Sequence, residues 1–433
     1  MVSAATTPSR AYRWLIRRRE NALPEFLKVI TSDQFVERLG CFPRLASERV
    51  SLGASLRRVL AEDVVATEDL PERARSTVDG YAVHAVDTFG ASDSMPALLE
   101  VVAAVEMGTM PDFAIRAGQA AHIPTGGFLP AGADAVVMVE YTNPAGGNRV
   151  EVTRPLTVGT NVLEKGEDVK AGESVIRAGR ALRPQELGLL AALGVTHVRV
   201  YRRPRVAVIS TGDEVVPIDR TPKPGQIRDA NTYSISALVR AVDGEPKSFD
   251  IVPDDGAMLG GALENGLAQA DIVVVSGGSS VGTRDLMVDV VAALPGVEVR
   301  AHGVAIRPGK PTLLARQKGK AIFGLPGHPV SALIVAQAFL APFLKYLQGG
   351  RLEKGPLGQR VKAVLSTSIH STVGLEEFVR VFLEEASDGG FFAQPVFGKS
   401  GMLSTMVKAS GIVVVPMHVE GFAQGEVVEV IRM

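Results

Sequence analysis

The 433-residue chain contains one cysteine, Cys41, one tryptophan, and only 5% aromatic residues. A lone thiol excludes an internal disulfide and any cysteine-ligated metal cluster. Neither sign of charge is in excess: 46 Lys and Arg against 47 Asp and Glu leave a net charge of −1. That balance supplies no overall field to attract nucleic acid or an anionic membrane. No run approaches the ~18 uninterrupted apolar residues of a bilayer-spanning helix. The one basic cluster, RAYRWLIRRRE at 10–20, is not followed by the apolar stretch and small-residue cleavage site of a secretory signal. Tyr12, Leu15 and Ile16 recur there at roughly helical spacing, which predicts an amphipathic helix with a solvated face. One thiol and no such signal fit a reducing cytoplasm.

What is present is the composition of a soluble globular protein, 46% hydrophobic and 21% charged. The length predicts two to four domains. Residues 31–66 carry helical patterns broken by GCFP and SLGAS, and 66–85 read as extended. ALLEVVAAVEMG, QAAHIPTGG, ADAVVMVEY and NRVEVTR then predict short strands separated by Pro/Gly turns. RPQELGLLAALGV predicts a short helix with Pro184 in its first turn and Gly194 at its end. From RVAVIST, at 205–211, apolar runs alternate with helical patterns: FDIVPDD, DIVVVSGG and VEVRAHG each follow a candidate helix. Continuous apolar strands between helices predict a parallel sheet covered on both faces, which ends in the long apolar helix PVSALIVAQAFLAPFLKYL. Beyond 349, GIVVVP and GEVVEVIRM predict a small β-barrel or sandwich.

In an open α/β sheet, ligands gather beyond the carboxyl ends of the strands. Three such ends carry unusual residues. VISTGDE sets Asp213 and Glu214 just past a strand; SGGSSVGTRD bares its backbone at Gly277, Gly278 and Ser279; and LPGHPVS fixes a turn with Pro326 and Pro329 before a helix. Bare backbone N–H groups and a helix N-terminus both favour an anion. AIRPGKP adds Arg307 and Lys310 on a proline-stiffened loop. The loops match neither G-x-x-x-x-G-K-[ST] nor G-x-G-x-x-G, which disfavours a P-loop and a dinucleotide cofactor. Carboxylates beside an anion site usually hold a hard cation such as Mg²⁺. For Asp285 a helix N-cap ahead of LMVDVVAAL is the competing reading. Asp254 and Asp255 also read as a solvated turn, and His328 as a capping residue.

Read in order, STVDGYAV, IPTGG, PAGADAVVMVE, KGEDV, STGDE, SGGSSVG, RPGKP, LPGHPVS and SGMLSTM resemble molybdopterin molybdotransferase, the molybdenum insertase of molybdenum-cofactor synthesis. The resemblance runs from about residue 30 to the end of the chain. It implies an L-shaped homodimer of four domains. These are a linking domain at 1–70 and 151–200, an inserted β-rich domain at 71–150, an α/β molybdopterin-binding domain at 201–348, and a C-terminal β-barrel at 349–433. It implies hydrolysis of adenylylated molybdopterin, insertion of molybdate as the second substrate, and release of AMP with Mg²⁺ or a similar divalent cation. By the same resemblance Asp254 and Asp285 lie near the cation with Glu214 close by. Lys310, Pro311, Ser331, Arg380 and Ser400 border the oxyanion. Asp79 and Thr125 reach the cleft across the dimer, Asp168 supports that loop, and Pro326 and Pro329 shape the pocket. Transient contacts with the adenylyltransferase and with molybdoenzymes are expected, and none with nucleic acid or membrane. Thr283 stands where many relatives carry an acid, Gly303 where many carry Lys or Arg, and Arg307 where Lys is common. These departures keep two other readings in view, a tungstate-preferring insertase and a molybdopterin-binding scaffold without turnover; an adenylyltransferase sharing the α/β domain is a third, against which the additional domains and the paired RPGKP and LPGHPVS loops argue.

Overall fold

The computed structural model describes residues 29–277, 283–387 and 389–433, with residues 283–285 described by backbone alone. The predicted N-terminal helix around Tyr12, together with Gly278, Ser279 and the side chains of Thr283 and Asp285, lies outside the described residues. Helix α1 (Ser32–Gly40) starts where a reciprocal cap forces it to. The Thr31 hydroxyl accepts from the Gln34 N–H at 3.2 Å, and the Gln34 side chain accepts from the Thr31 N–H at 3.1 Å. Its buried face carries Phe35, which packs on Phe339 with the rings tilted by 54° and their centroids 4.7 Å apart.

The chain divides into two compact units, one formed by Arg49–Val200 and the other by the residues on either side of it. In the first, the strands predicted between Pro/Gly turns are present. They are β1 (Gly80–Val83), β2 (Ala97–Ala104), β3 (Gln119–Ile123), β4 (Ala135–Met138), β5 (Thr142–Pro144) and β6 (Arg149–Val152). They pair in the order β4-β1-β3-β2-β6-β5. Alternation puts Val83, Ala120 and Val137 in one core and Ala82, Ile123 and Val136 in another, so the sheet is covered on both faces. Helix α2 (Pro184–Ala192) begins at Pro184 as expected, and Gly194 takes the left-handed φ of +70° just beyond its end.

The buried Glu186 on α2 accepts from the guanidinium groups of Arg183 at 2.7 Å and Arg180 at 2.8 Å. The Arg183 bond is the main cause that lowers its pKa to about 2 from an ordinary 4.5, against the opposing effect of burial. A depressed folded-state pKa stabilises the fold fully above the unfolded value and loses that contribution as pH falls through the folded one. Glu186→Gln is therefore expected to lower the urea midpoint near neutral pH, and the gap from wild type should close as pH falls from about 4.5 toward 2. A gap that is unchanged over that window would contradict the pairing.

The second unit holds the α/β sheet. Its elements are β7 (Arg205–Thr211), α3 (Asn231–Ala241), β8 (Glu245–Ser248), α4 (Gly256–Gln269), β9 (Ile272–Gly277), α5 (Thr283–Ala293), β10 (Val297–His302), β11 (Ile306–Arg307), β12 (Leu313–Gln317) and β13 (Lys320–Pro326). The sheet order is β8-β7-β9-β13-β12-β10. The four strands β8, β7, β9 and β13 are parallel, as the apolar runs predict, and every residue of β9 is buried. Two details differ from expectation. The edge pair β12 and β10 is antiparallel. The strand after α3 is EPKS rather than FDIVPDD. The FDIV run still follows β7, with Phe249 N–H bonded to Val208 O and Val252 N–H to Ser210 O. The next ladder donor, the Asp254 N–H, turns to the Asp213 carboxylate instead, and the pairing ends.

The helical run Pro329–Leu347 is long and apolar enough to cross a bilayer by composition, but 78% of it is buried in the fold, so it serves as a core helix. It is α6 (Pro329–Val335), a π turn (Ala336–Leu340) and α7 (Ala341–Leu347). Pro342 has no N–H to donate to the carbonyl of Ala338, and the π turn takes up that register. The C-terminal strands β14 (Arg360–Leu365), β15 (Glu376–Glu385), β16 (Phe391–Pro395), β17 (Gly411–Val415) and β18 (Val427–Arg432) pair as β15-β16-β14-β18-β17. Pairing of β17 back to β15 closes the expected barrel around Val379, Val381, Val413 and Val430. β11 leaves the α/β sheet and pairs with β15, Ile306 opposite Glu376 and Arg307 opposite Glu377.

Candidate functional site

Strand register sets the site. Thr211, Gly277 and Pro326 are direct neighbours across β7, β9 and β13, one row along the carboxyl edge of the sheet. At the usual strand spacing the row spans about 10 Å. At its first end the Thr211 hydroxyl donates to Asp254 Oδ1 at 3.2 Å, and Asp213 Oδ1 accepts from the Asp254 N–H at 3.2 Å. The Glu214 carboxylate folds back over Gly212, where an added Cβ would lie 2.7 Å from Glu214 Oε2. Asp255 is the N-cap of α4, its carboxylate accepting from the Met258 N–H at 2.9 Å, which sorts the two aspartates into one cap and one site residue. An open groove of about 970 Å³ adjoins this end, lined by Asp213, Arg220, Tyr233, Arg240 and Phe249 among others.

The middle of the row answers why Gly277 has no side chain. A Cβ there would stand 1.9 Å from Thr211 Cγ2 and 2.9 Å from Thr211 O. Close strand packing alone requires the glycine. α5 has begun by Thr283, so Asp285 lies inside its first turn and not at its N-cap.

At the far end three loops meet around the start of α6. The RPGKP loop presses on the helix at Gly309, where φ is +119° and a Cβ would meet Val335 Cγ2 at 2.4 Å. Its exposed Arg307 makes a loose ion pair with Glu377 at 3.7 Å, and the Lys310 ammonium has no carboxylate partner among the described residues. Gly303, at the root of the same loop, has φ +100°, which disfavours the Lys or Arg many relatives carry. The turn after β13 is tied down by Asn231, whose Nδ2 donates to Gly327 O at 2.9 Å. Ser331 is buried in the first turn of α6, behind Pro329. His328 occupies the N-cap position but caps nothing with its side chain. Its Nδ1 instead lies 3.1 Å from Ser400 Oγ, and Val330 N–H donates to Ser400 O at 3.1 Å.

Arg380 completes this end. On β15 it alternates with Val379 and Val381, which fill the barrel, and shares a face with Phe378, which packs into the α/β core. Only 9% of Arg380 is exposed; Nη2 donates to Gly398 O at 3.0 Å, while the buried Nε has no partner among the described residues. Burial pushes its pKa down, and the neighbouring Glu377 carboxylate acts against that shift. A buried cation with a spare N–H is costly and fits an anion.

The remaining predicted residues belong to the Arg49–Val200 unit. Asp79 and Thr125 come together there: the Thr125 N–H donates to Asp79 Oδ1 at 2.7 Å. That backbone bond is the main cause holding the Asp79 carboxyl below its ordinary value, with the Thr125 hydroxyl second. Asp168 is exposed and contributes its backbone, donating from N–H to Leu70 O at 3.1 Å; its carboxylate bonds no described residue.

Sequence reading missed the roles of Thr211 and Asn231 and misassigned His328. GDE and PGHP flagged the loops, but partners 43, 96 and 72 positions away carry no local signal.

The MoeA N-terminal region (domain I and II) matches residues 24–194, a probable molybdopterin binding domain matches 207–346, and the MoeA C-terminal region (domain IV) matches 362–433. A protein of Nostoc sp. named molybdopterin molybdenumtransferase is 36% identical over 90% of this chain and 91% of its own. One of the same name from Staphylococcus aureus is 33% identical over 88% and 90%. The solved molybdopterin biosynthesis MoeA protein of Pyrococcus horikosii superposes with a TM-score of 0.80 at 36% identity, over 94% of this chain and 99% of that one. Those matches extend across the barrel, the α/β sheet and the Arg49–Val200 unit alike, and the chain belongs to the MoeA family.

Proposed function

We propose that this protein inserts molybdate into adenylylated molybdopterin and releases AMP, giving the molybdenum cofactor. The observation that carries the proposal is Arg380, a buried guanidinium with one N–H unclaimed. Ser400, Ser331, Arg307, Lys310 and Pro311 are assigned to the same anion, donors and a stiff backbone suited to a tetrahedral dianion. Pro326 and Pro329 hold the turn that brings Ser331 and Ser400 together. The groove beside Asp213 has the size of a small-molecule site and is assigned to the organic body of the substrate.

Among the described residues no group of three or more His, Cys, Asp or Glu could hold a metal ion alone. Mg²⁺ does not need one: it is commonly held by one or two carboxylates plus substrate phosphates. Asp254, anchored by Thr211 and beside Asp213, fits that donor set, and Asp285 is assigned as its second ligand. A bound Mg²⁺ polarises the phosphoanhydride. Glu214 is assigned to orient the water that cleaves it, so that the water oxygen ends on phosphate and AMP leaves. The backbone around Gly277, Gly278 and Ser279 is assigned to the phosphates. Asp79 and Thr125 are assigned to the same cleft from the second copy of a cytoplasmic homodimer, with Asp168 steadying their unit.

AMP release from adenylylated molybdopterin and Mg²⁺ is expected to rise on addition of molybdate, and the better of molybdate and tungstate names the metal. Asp254→Asn should lower that rate on the order of 10²–10³-fold. Wild-type rates in that variant would remove Asp254 from the site, and tight substrate binding without AMP release in wild type would mark a scaffold. Replacing a buried unpaired charge by an apolar residue is often neutral or stabilising. Arg380→Met is therefore expected to abolish oxyanion binding while leaving the melting temperature unchanged or raised. A fall of more than about 5 °C, on the order of 1 kcal/mol or more, would make Arg380 a structural prop instead.

A further inference from the structure

Ser400 is held at both ends by one turn. Its carbonyl accepts from the Val330 N–H, and its hydroxyl meets the His328 imidazole at Nδ1, 3.1 Å away. The turn itself is anchored by Asn231 through Gly327 O. His328 is exposed and its ring makes no helix cap, so the contact to Ser400 is what its side chain does.

That contact decides what Ser400 can offer a ligand. A serine hydroxyl has one proton and two lone pairs. If Nδ1 is bare, the proton points at the histidine and Oγ turns only lone pairs outward, which repel an oxyanion. If Nδ1 carries a proton, it donates to Oγ, and the hydroxyl proton is free to donate to the oxyanion. The second arrangement also polarises the hydroxyl.

We propose that His328 is a positioning residue for oxyanion recognition: its Nδ1–H directs the Ser400 proton outward, and oxyanion binding selects that tautomer. The inference rests on the reading of Ser400 as an oxyanion contact. It goes beyond it by naming the group that sets the donor.

The test is calorimetric titration of the full-length protein with molybdate alone, without turnover, using four variants whose melting temperatures are recorded in parallel. Ser400→Ala and His328→Phe should each weaken binding about threefold to tenfold, the worth of one net hydrogen bond. The double variant should bind no more weakly than Ser400→Ala, because His328 acts through that hydroxyl. His328→Asn, whose amide N–H can replace Nδ1–H, should recover most of the loss. In ¹⁵N-histidine spectra the resonance lost in His328→Asn should move toward the Nδ1-protonated form on adding molybdate. Wild-type affinity in His328→Phe, or losses that multiply in the double variant, would overturn the inference while leaving the oxyanion reading in place. An unaffected Ser400→Ala, or no molybdate binding by wild type, would instead overturn the reading on which it rests.

Discussion

Burial of β7, β9 and β13 on both faces is the constraint on which the site depends. Strands with no wet face hold their register tightly, and Thr211, Gly277 and Pro326 end in one row. The carboxylates and basic residues proposed for the α/β side of the site lie in the loops beyond that row. The carboxylates follow β7, the bare glycine loop follows β9, and the proline-stiffened turn follows β13. Gly277 stands at the middle of that row, where the absence of Cβ lets Thr211 pack close.

The barrel matters because it closes the far end. Its strand β15 hands Arg380 to the α/β side, and the loop after β16 carries Gly398 and Ser400 to the start of α6. β11 pins the RPGKP loop to the same strand. The groups proposed to bind the anion thus come from three loops and a barrel strand, all anchored on regular elements, the arrangement that holds a site to its geometry. Stability is not served by it. A desolvated guanidinium with an N–H unpartnered among the described residues costs free energy.

Much of this was legible before any coordinates. Apolar runs alternating with helices announced the α/β sheet, and PGHP, PGKP and GDE marked the loops that carry its chemistry. What escaped reading was what depends on tertiary contact. FDIVPDD has a strand's composition, yet the regular ladder to β7 runs through EPKS, and FDIV adds only the separate bonds from Phe249 and Val252. Asp285 looked like an N-cap, but its helix starts two residues earlier. His328 looked like a cap too, and its partner Ser400 is 72 positions away. Gly303, which reads as a lost cation, sits at φ +100°, so backbone conformation gives a reason for the glycine independent of the anion. Asp79 and Thr125 were named together only through family resemblance, as residues of one cleft; the hydrogen bond between them, across 46 residues, was not anticipated.

The most direct test of the central claim is a single-turnover reaction that counts both products at once: AMP released, and molybdenum retained on the pterin after the protein is separated from free molybdate. Insertion predicts equimolar AMP and retained molybdenum in wild type, with both lost together in Arg380→Met. AMP released at the full rate with no molybdenum retained would make the protein a hydrolase of the adenylylated pterin and contradict the account.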